Sequence, residues 1–239
     1  LAEVRAQVES GKVTWDVIDV EVSDAVRGCD DGLFETISSK SLPKGANGVT
    51  AEKDFIPGAL TECAVGSIVW STIYAYDADK YSGAKPTSLN DFFDVKKFPG
   101  KRGLRKGAKV NLEWALMADG VSNNEVYKVL ETKAGQDRAF AKLSSIKEHV
   151  LWWEAGAQPP QMLADGEVVM TSAYNGRIFN AAVQEKKNFE IVWDKQLFDF
   201  DLFAIIKGTP RLNEAKRFVG FATATEQLAN QASWISYGP

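Results

Sequence analysis

A run of fourteen residues from Ala64 to Asp77, AVGSIVWSTIYAYD, constrains the fold of this chain more than any other segment. Its β-branched and aromatic residues favour a strand. The run is far longer than an ordinary strand, which has roughly five or six residues. It therefore predicts a segment that crosses between two subdomains.

Strand and helix patterns alternate along the rest of the 239 residues, enough for one large or two modest domains. Strands are predicted at 14–22, 167–174, 189–193 and 197–206, and helices at 1–10, 87–94, 110–120, 135–156 and 210–233. The last helix is expected to turn Phe218 and Val219 inward. Ser23 follows the first strand and is a natural N-cap for a helix. This alternation predicts an α/β fold with a largely parallel sheet.

Composition limits the functional class. Apolar residues make up 45% of the chain, charged residues 25%, and the net charge is −4. An acidic pI of about 5.2 argues against a dedicated nucleic-acid binder, and no apolar run approaches the roughly 18 residues of a membrane span. The chain begins with LAEVRAQVESGK, without an initiator Met and in what reads as a helix. We therefore expect residues to be missing at both ends.

Cysteine and histidine are scarce. Cys29 and Cys63 are either one disulfide or two buried thiols, and composition alone does not separate these alternatives. The single histidine, His149, excludes a histidine-rich metal site, and we expect neither a metal nor a cofactor. Any Ser-His-Asp or Cys-His mechanism would have to use this one residue.

The stretch from Lys96 to Val110, KKFPGKRGLRKGAKV, carries seven Lys or Arg residues and no acidic residue. It fits neither the phosphate-binding P-loop nor the GxGxxG dinucleotide turn. It is either a solvated charged loop or an anion site. The anion reading places Arg105, Lys106 and Gly107 before a helix whose free N–H groups would receive the ligand. The first half, to Arg102, is expected on the surface.

Two further patterns carry candidate chemistry. Tyr174 ends a strand before an Asn175-Gly176 turn and Arg177, and an aromatic plate beside a guanidinium suits a small carboxylate. The alternative is a tight turn with a surface arginine. Asp199 and Asp201 lie on one strand face; they are an acid–base pair, a cation site or a wet face, and no partners for hydrolysis are evident.

The order of several segments resembles that of one family. These segments are WDVIDVEVSDAV, GSIVWSTIYAYD, TSLNDFFDVKKFPGKRGL, LADGEVVMTSAYNGRIF and FDFDLFAIIKGTP with the sequence that follows it to ISYGP. Together they are similar to the periplasmic solute-binding proteins of ABC importers, in the spermidine/putrescine-binding group. The resemblance covers nearly the whole chain, although no single motif in it is highly specific.

The resemblance implies two α/β lobes joined by crossing strands that close on a ligand in the interlobe cleft. Lobe one would comprise 1–72 and 203–239, and lobe two 73–202. It further implies a periplasmic, monomeric, non-enzymatic protein that delivers a small charged organic solute to the membrane permease and binds no nucleic acid. In that oxidising compartment the Cys29–Cys63 disulfide becomes the favoured state.

The resemblance also implies ligand-binding residues. They are Glu21, Ser23, Trp70, Ser71, Thr72, Tyr174, Asp199, Asp201 and Tyr237. The chain departs from the polyamine-binding pattern at 105–110, where cations replace the group's acidic residues. Lys106 and Arg177 would repel a polycation, so a carboxylate or a zwitterion is expected, with its amine on Asp201. The alternatives are an α/β enzyme that uses the same cleft and a ligand-sensing domain of this fold.

Overall fold

The computed structural model describes residues 1–238, apart from the side chain of residue 47. Six strands are present: β1 (Val17–Glu21), β2 (Ala64–Asp77), β3 (Arg102–Arg105), β4 (Val150–Trp153), β5 (Met170–Tyr174) and β6 (Phe189–Ile205). The α-helices are α1 (Ala2–Ser10), α2 (Val22–Asp30), α3 (Ala51–Asp54), α4 (Leu89–Phe93), α5 (Asn111–Ala118), α6 (Val126–Leu130), α7 (Lys133–Ser144), α8 (Gln158–Ala164), α9 (Asn175–Val183), α10 (Leu212–Ala222) and α11 (Thr225–Ala232). The α/β class expected from the sequence is confirmed.

The strands pair in the order β1-β6-β2-β5-β3-β4. The pairs β1/β6 and β2/β5 are antiparallel, whereas β3 runs parallel to both β4 and β5. The sheet is therefore mixed, and the expectation of a largely parallel sheet was wrong. The difference arises because β2 and β6 enter the sheet against the direction of neighbouring strands, which an alternation of strand and helix patterns does not reveal.

The chain divides into two compact units. Unit 1 comprises Leu1–Trp70 and the chain from Phe198 onward, and unit 2 comprises Ser71–Leu197. Both passages between the units occur inside a continuous strand, at Trp70–Ser71 within β2 and at Leu197–Phe198 within β6. The resemblance suggested passages after residues 72 and 202. The observed passages come a few residues earlier in both cases.

Unit 1 buries one apolar cluster around β6 and a second around α10. The first includes Ala25, Phe34, Leu202 and Ala204. Cys29 at the end of α2 is bonded to Cys63 just before β2, with a Cα–Cα distance of 5.7 Å. The disulfide thus ties a surface helix to the start of the crossing strand.

Unit 2 is built around large aromatic side chains. Trp114 and Phe92 are fully buried, with ring centres 5.9 Å apart, and they pack in one cluster with Tyr74 and Leu116. The helix predicted at 87–94 is present as α4, and it begins with a reciprocal capping box formed by the Ser88 and Asp91 side chains.

Several element predictions fail where tertiary contacts outweigh local spacing. Val150–Trp153, expected within a helix, is strand β4, because it pairs in parallel with β3 and buries Trp153. The two strands expected at 189–193 and 197–206 are one strand, β6, with Lys195 at a φ of 57° where a break was expected. The long helix expected at 210–233 is interrupted after α10, where the Thr223 hydroxyl donates to the Val219 carbonyl.

Three single-residue expectations also change. Phe218 is 49% exposed on α10, whereas its neighbour Val219 is buried. Ser23 lies inside the first turn of α2, because the N-cap is Glu21. Arg102, expected on the surface, is fully buried.

Candidate functional site

The carboxylate of Asp201 is held in a defined orientation within unit 1. The Trp70 indole Nε1 donates to Asp201 Oδ1 at 2.9 Å, and the Ser67 hydroxyl donates to the Asp201 main-chain carbonyl at 3.0 Å. Trp70 is buried, so its N–H group has a fixed direction. In the register of β1 and β6, Glu21 lies directly opposite Asp201.

Asp19 is a functional candidate that the sequence analysis missed. It lies two residues before Glu21 on β1, and the Ser67 hydroxyl donates to its Oδ1 at 3.4 Å. The residue as a whole is exposed, yet partial burial of the carboxyl group and the negative charge of Asp201 raise the pKa of Asp19 to about 6. The alternating acidic residues in WDVIDVEV could have identified it, because residues two apart on a strand share a face.

Unit 1 also holds the candidates Ser23, Asp199 and Tyr237. Ser23 is exposed in the first turn of α2. Asp199 is half-buried on β6, and its Oδ1 accepts from the Phe200 N–H group at 2.8 Å. Tyr237 is half-buried and precedes Gly238, whose backbone pairs with Val69 on β2. The backbone next to Tyr237 thus pairs with the strand that carries Trp70.

In unit 2, the guanidinium that accompanies Tyr174 belongs to Arg105. Arg105 ends β3, and its Cζ lies 5.9 Å from the centre of the Tyr174 ring, within the range of a cation–π contact. The Trp153 ring meets Tyr174 edge-on, with centres 5.8 Å apart and an interplanar angle of 87°. The expected aromatic–guanidinium pair is therefore present, but Arg105 supplies the cation instead of Arg177.

A buried serine fixes this cluster. Ser172 is 1% exposed, and its Oγ accepts from Trp153 Nε1 at 3.2 Å and from the Arg105 main-chain N–H at 3.3 Å. In the sheet, β3 lies next to β5 and β4 lies beyond β3, so this one hydroxyl on β5 reaches residues of two successive strands. Trp153, Arg105 and Tyr174 are consequently held by one set of contacts.

Arg177 has different surroundings. It is exposed in the first turn of α9 and lines a polar cavity of about 270 Å³ with Gln161, Asp165 and Asn180. The expected Asn-Gly turn is the beginning of α9, since the helix starts at Asn175 without an intervening loop. Asn175 is buried, and its Oδ1 accepts from the Ser71 N–H at 2.9 Å.

Ser71 and Thr72 begin the part of β2 that belongs to unit 2. Thr72 is buried and lies opposite Tyr174 in the antiparallel register. Both residues thus adjoin the Arg105–Tyr174 cluster through the backbone of the sheet.

The loop 105–110 is shaped by side chains of α5. Asn111 Nδ2 donates to the carbonyls of Arg105 at 2.7 Å and Gly107 at 2.8 Å. Lys106 forms an exposed ion pair with Glu154 at 3.0 Å. Gly107 has a φ of 154°, a conformation that glycine adopts readily.

The start of α5 carries its own carboxylate. Glu113 is buried and accepts from the N–H groups of Glu113 and Val110, while burial raises the pKa of its carboxyl group. These N–H groups therefore already have an acceptor within the chain, and a binding role for Arg105, Lys106 and Gly107 stays a prediction. The Glu113 carboxylate thus provides one half of a capping box, while the Val110 side chain makes no cap hydrogen bond.

The described residues hold no group of three His, Cys, Asp or Glu side chains arranged to bind a metal ion. Over the same residues, every helix is too short or too polar to cross a membrane.

Residues 1–239 match the family described as bacterial extracellular solute-binding protein. The γ-aminobutyric acid-binding protein of Pseudomonas aeruginosa is 48% identical over 239 residues, which are 100% of this chain and 65% of that protein. The chain thus spans slightly less than two thirds of the length of that relative.

Two solved structures share the fold over the whole chain. The crystal structure of the PBP MotA from A. tumefaciens B6 in complex with glucopine is 35% identical, with a TM-score of 0.87 over 100% of this chain and 71% of that one. The structure of the Atu4243-GABA receptor is 34% identical, with a TM-score of 0.86 over 100% of this chain and 70% of that one. The chain therefore belongs to the bacterial extracellular solute-binding protein family.

Proposed function

We propose that this protein is the periplasmic solute-binding component of an ABC importer and that it captures a small zwitterionic amino acid of the γ-aminobutyric acid type. It would deliver the solute to the membrane permease and carry out no reaction on it. Family membership supports the general role. The single observation that carries the choice of ligand is the separation of charge: oriented carboxylates lie in unit 1, and a guanidinium beside an aromatic ring lies in unit 2.

Asp201 is the proposed partner of the ammonium group. Its carboxylate is already oriented by the Trp70 N–H group, so little side-chain entropy is lost when a cation binds. Asp19 and Glu21 add negative charge on the same strand face. A hydrogen bond to a charged group contributes about 1.5–3 kcal/mol, and Asp201 is the residue where such a bond would have the largest effect.

Arg105 is the proposed partner of the carboxylate. An arginine presents paired N–H groups that match the two oxygens of a carboxylate. Tyr174 and Ser172 restrict where the Arg105 side chain and backbone lie. The aromatic ring also supplies apolar contact area for the methylene groups of the solute.

A polyamine fits this arrangement poorly. Its second ammonium group would have to approach Arg105 in place of a carboxylate. Two like charges about 4 Å apart cost about 4 kcal/mol at the effective dielectric constant of a protein surface. The names of the relatives point the same way, because the two described as γ-aminobutyric acid proteins take a ligand that carries one amine and one carboxylate.

Isothermal titration of the full-length protein with γ-aminobutyric acid, putrescine and butyrate tests the proposal. We expect γ-aminobutyric acid to bind and the other two, which each lack one of the required charges, to bind at least 10-fold more weakly. Asp201→Asn and Arg105→Ala should each weaken γ-aminobutyric acid by about 10- to 100-fold. Binding of putrescine in preference to γ-aminobutyric acid would refute the zwitterion proposal.

Arg177→Ala is the matched control for Arg105→Ala, because it removes a guanidinium from the same unit without touching the Tyr174 ring. The arrangement around Tyr174 predicts an affinity within about twofold of the unsubstituted protein. If Arg177→Ala greatly weakens binding of γ-aminobutyric acid and Arg105→Ala does not, Arg177 is the partner of the carboxylate. The assignment of the ammonium group to Asp201 would be unaffected.

A further inference from the structure

The Tyr174 ring is confined by a glycine as well as by Arg105 and Trp153. A Cβ atom placed on Gly156 would lie 2.8 Å from Cε2 and 2.9 Å from Cδ2 of Tyr174. Carbon atoms in contact are normally separated by about 3.5–4.0 Å. The side chain of any other residue at position 156 would therefore overlap the Tyr174 ring.

Gly156 is not required by its backbone conformation. Nine glycines among the described residues have a positive φ, and Gly156 is not one of them. Its φ therefore lies outside the positive range in which residues with a Cβ atom are strained. Glycine is thus required at this position because a side chain would not fit beside Tyr174.

The loop that carries Gly156 is fastened and cannot easily move aside. Gln158 Oε1 accepts from the N–H groups of Glu154 at 2.8 Å and Ala155 at 2.7 Å. The Gln158 N–H donates to the Ala155 carbonyl at 2.9 Å. A methyl group on residue 156 would therefore displace the Tyr174 ring before it displaces the loop.

The direction of that displacement follows from the other neighbours of the ring. Trp153 is fully buried against one edge of Tyr174, and the loop of Gly156 blocks another. Tyr174 keeps part of its surface accessible, and we expect the ring to be displaced toward that side. A bound solute would contact the ring there.

We propose that Gly156 is a positioning residue that sets how far the Tyr174 ring projects toward the solute, and that it thereby sets the chain length of the amino acid that binds. The proposal rests on the function proposed above. A displaced ring would come closer to the methylene groups of the bound solute. A longer solute then loses more affinity than a shorter one.

The test compares Gly156→Ala with Gly83→Ala in the full-length protein. Gly83 has no positive φ, and a Cβ atom placed on it would have no heavy atom within 4 Å, so it controls for the change from glycine to alanine. We expect Gly156→Ala to weaken γ-aminobutyric acid about 10-fold and the shorter 3-aminopropanoic acid less than threefold. Gly83→Ala should change neither dissociation constant.

A double variant separates positioning from a general structural effect. In a Tyr174→Ala background the added methyl meets no ring, so Gly156→Ala should have no further effect on affinity or selectivity. An equal loss in both backgrounds would overturn the proposal. So would a crystal structure of Gly156→Ala in which the Tyr174 ring has not moved, whichever solute the protein binds.

The two proposals fail in distinguishable ways. If Arg105→Ala abolishes binding while Gly156→Ala leaves both dissociation constants unchanged, the zwitterion function stands and the role of Gly156 is refuted. If no amino acid binds the unsubstituted protein, the proposed function fails, and the ring position in the Gly156→Ala crystal structure decides the positioning role alone.

Discussion

Replacement of Arg102 by methionine tests whether part of the basic stretch is structural. Arg102 is fully buried, and its guanidinium donates to the main-chain carbonyls of Phe92 at 2.8 Å, Gly100 at 3.0 Å and Phe98 at 2.6 Å. Burial lowers the pKa of Arg102. One side chain thus fastens the end of α4 to the loop that follows it.

The structure gives the size of the expected effect. Methionine removes the donor from these three carbonyls and from a fourth, that of Asp94 at 3.5 Å, which still accepts from the Phe98 N–H group. Each buried group left unpaired costs about 1–3 kcal/mol. The substitution also removes the penalty of burying a cation, which is several kcal/mol. We expect a net loss of about 2–4 kcal/mol in the free energy of unfolding.

Urea unfolding of the full-length protein, followed by tryptophan fluorescence, measures this loss. Lys96→Met is the matched control, because Lys96 is an exposed cation of the same stretch, and it should change stability by less than about 0.5 kcal/mol. Equal unfolding midpoints and slopes for Arg102→Met and Lys96→Met would refute the structural role of Arg102.

Two further predictions concern pH and redox state. An ammonium ligand favours the ionised form of Asp19. The pKa of Asp19 in the free protein is about 6, so below that pH its carboxyl group must lose a proton when the ligand binds. Affinity should therefore fall by up to about 10-fold between pH 7 and pH 5, and titration of Asp19→Asn should be flat over that range if the assignment is right. Reduction of the Cys29–Cys63 disulfide, which spans 34 residues, should lower the free energy of unfolding by about 3–4 kcal/mol. An unchanged urea midpoint in dithiothreitol would contradict this.

The elements that the sequence predicted well are those with local signals. Ser88 and Asp91 mark the start of α4, and Gly11 ends α1 in a left-handed conformation, as residue chemistry leads one to expect. The crossing role of 64–77 was also recognisable, because length alone distinguishes that run from an ordinary strand. Predictions that rest on local residue chemistry or on segment length therefore hold in the folded structure.

The features that escaped prediction depend on neighbours distant in sequence. The spacing around Trp152 and Trp153 resembles a helix, and only pairing with β3 makes the segment a strand. Tyr174 stands three residues from Arg177, yet its cationic partner is Arg105, which reaches it from an adjacent strand. Glu113 closes the start of α5 behind a valine N-cap, a combination without a recognisable capping sequence.

The pairing of cations within Lys96–Val110 also bears on how quickly a solute arrives. Lys97 lies 2.8 Å from Asp91, Lys106 lies 3.0 Å from Glu154, and Arg102 is enclosed by carbonyl dipoles. At physiological ionic strength, fields decay over about 8 Å, so an anion in bulk water meets a surface that is closer to neutral than the seven basic residues suggest. We therefore expect long-range electrostatic steering of an anion by this stretch to be weak.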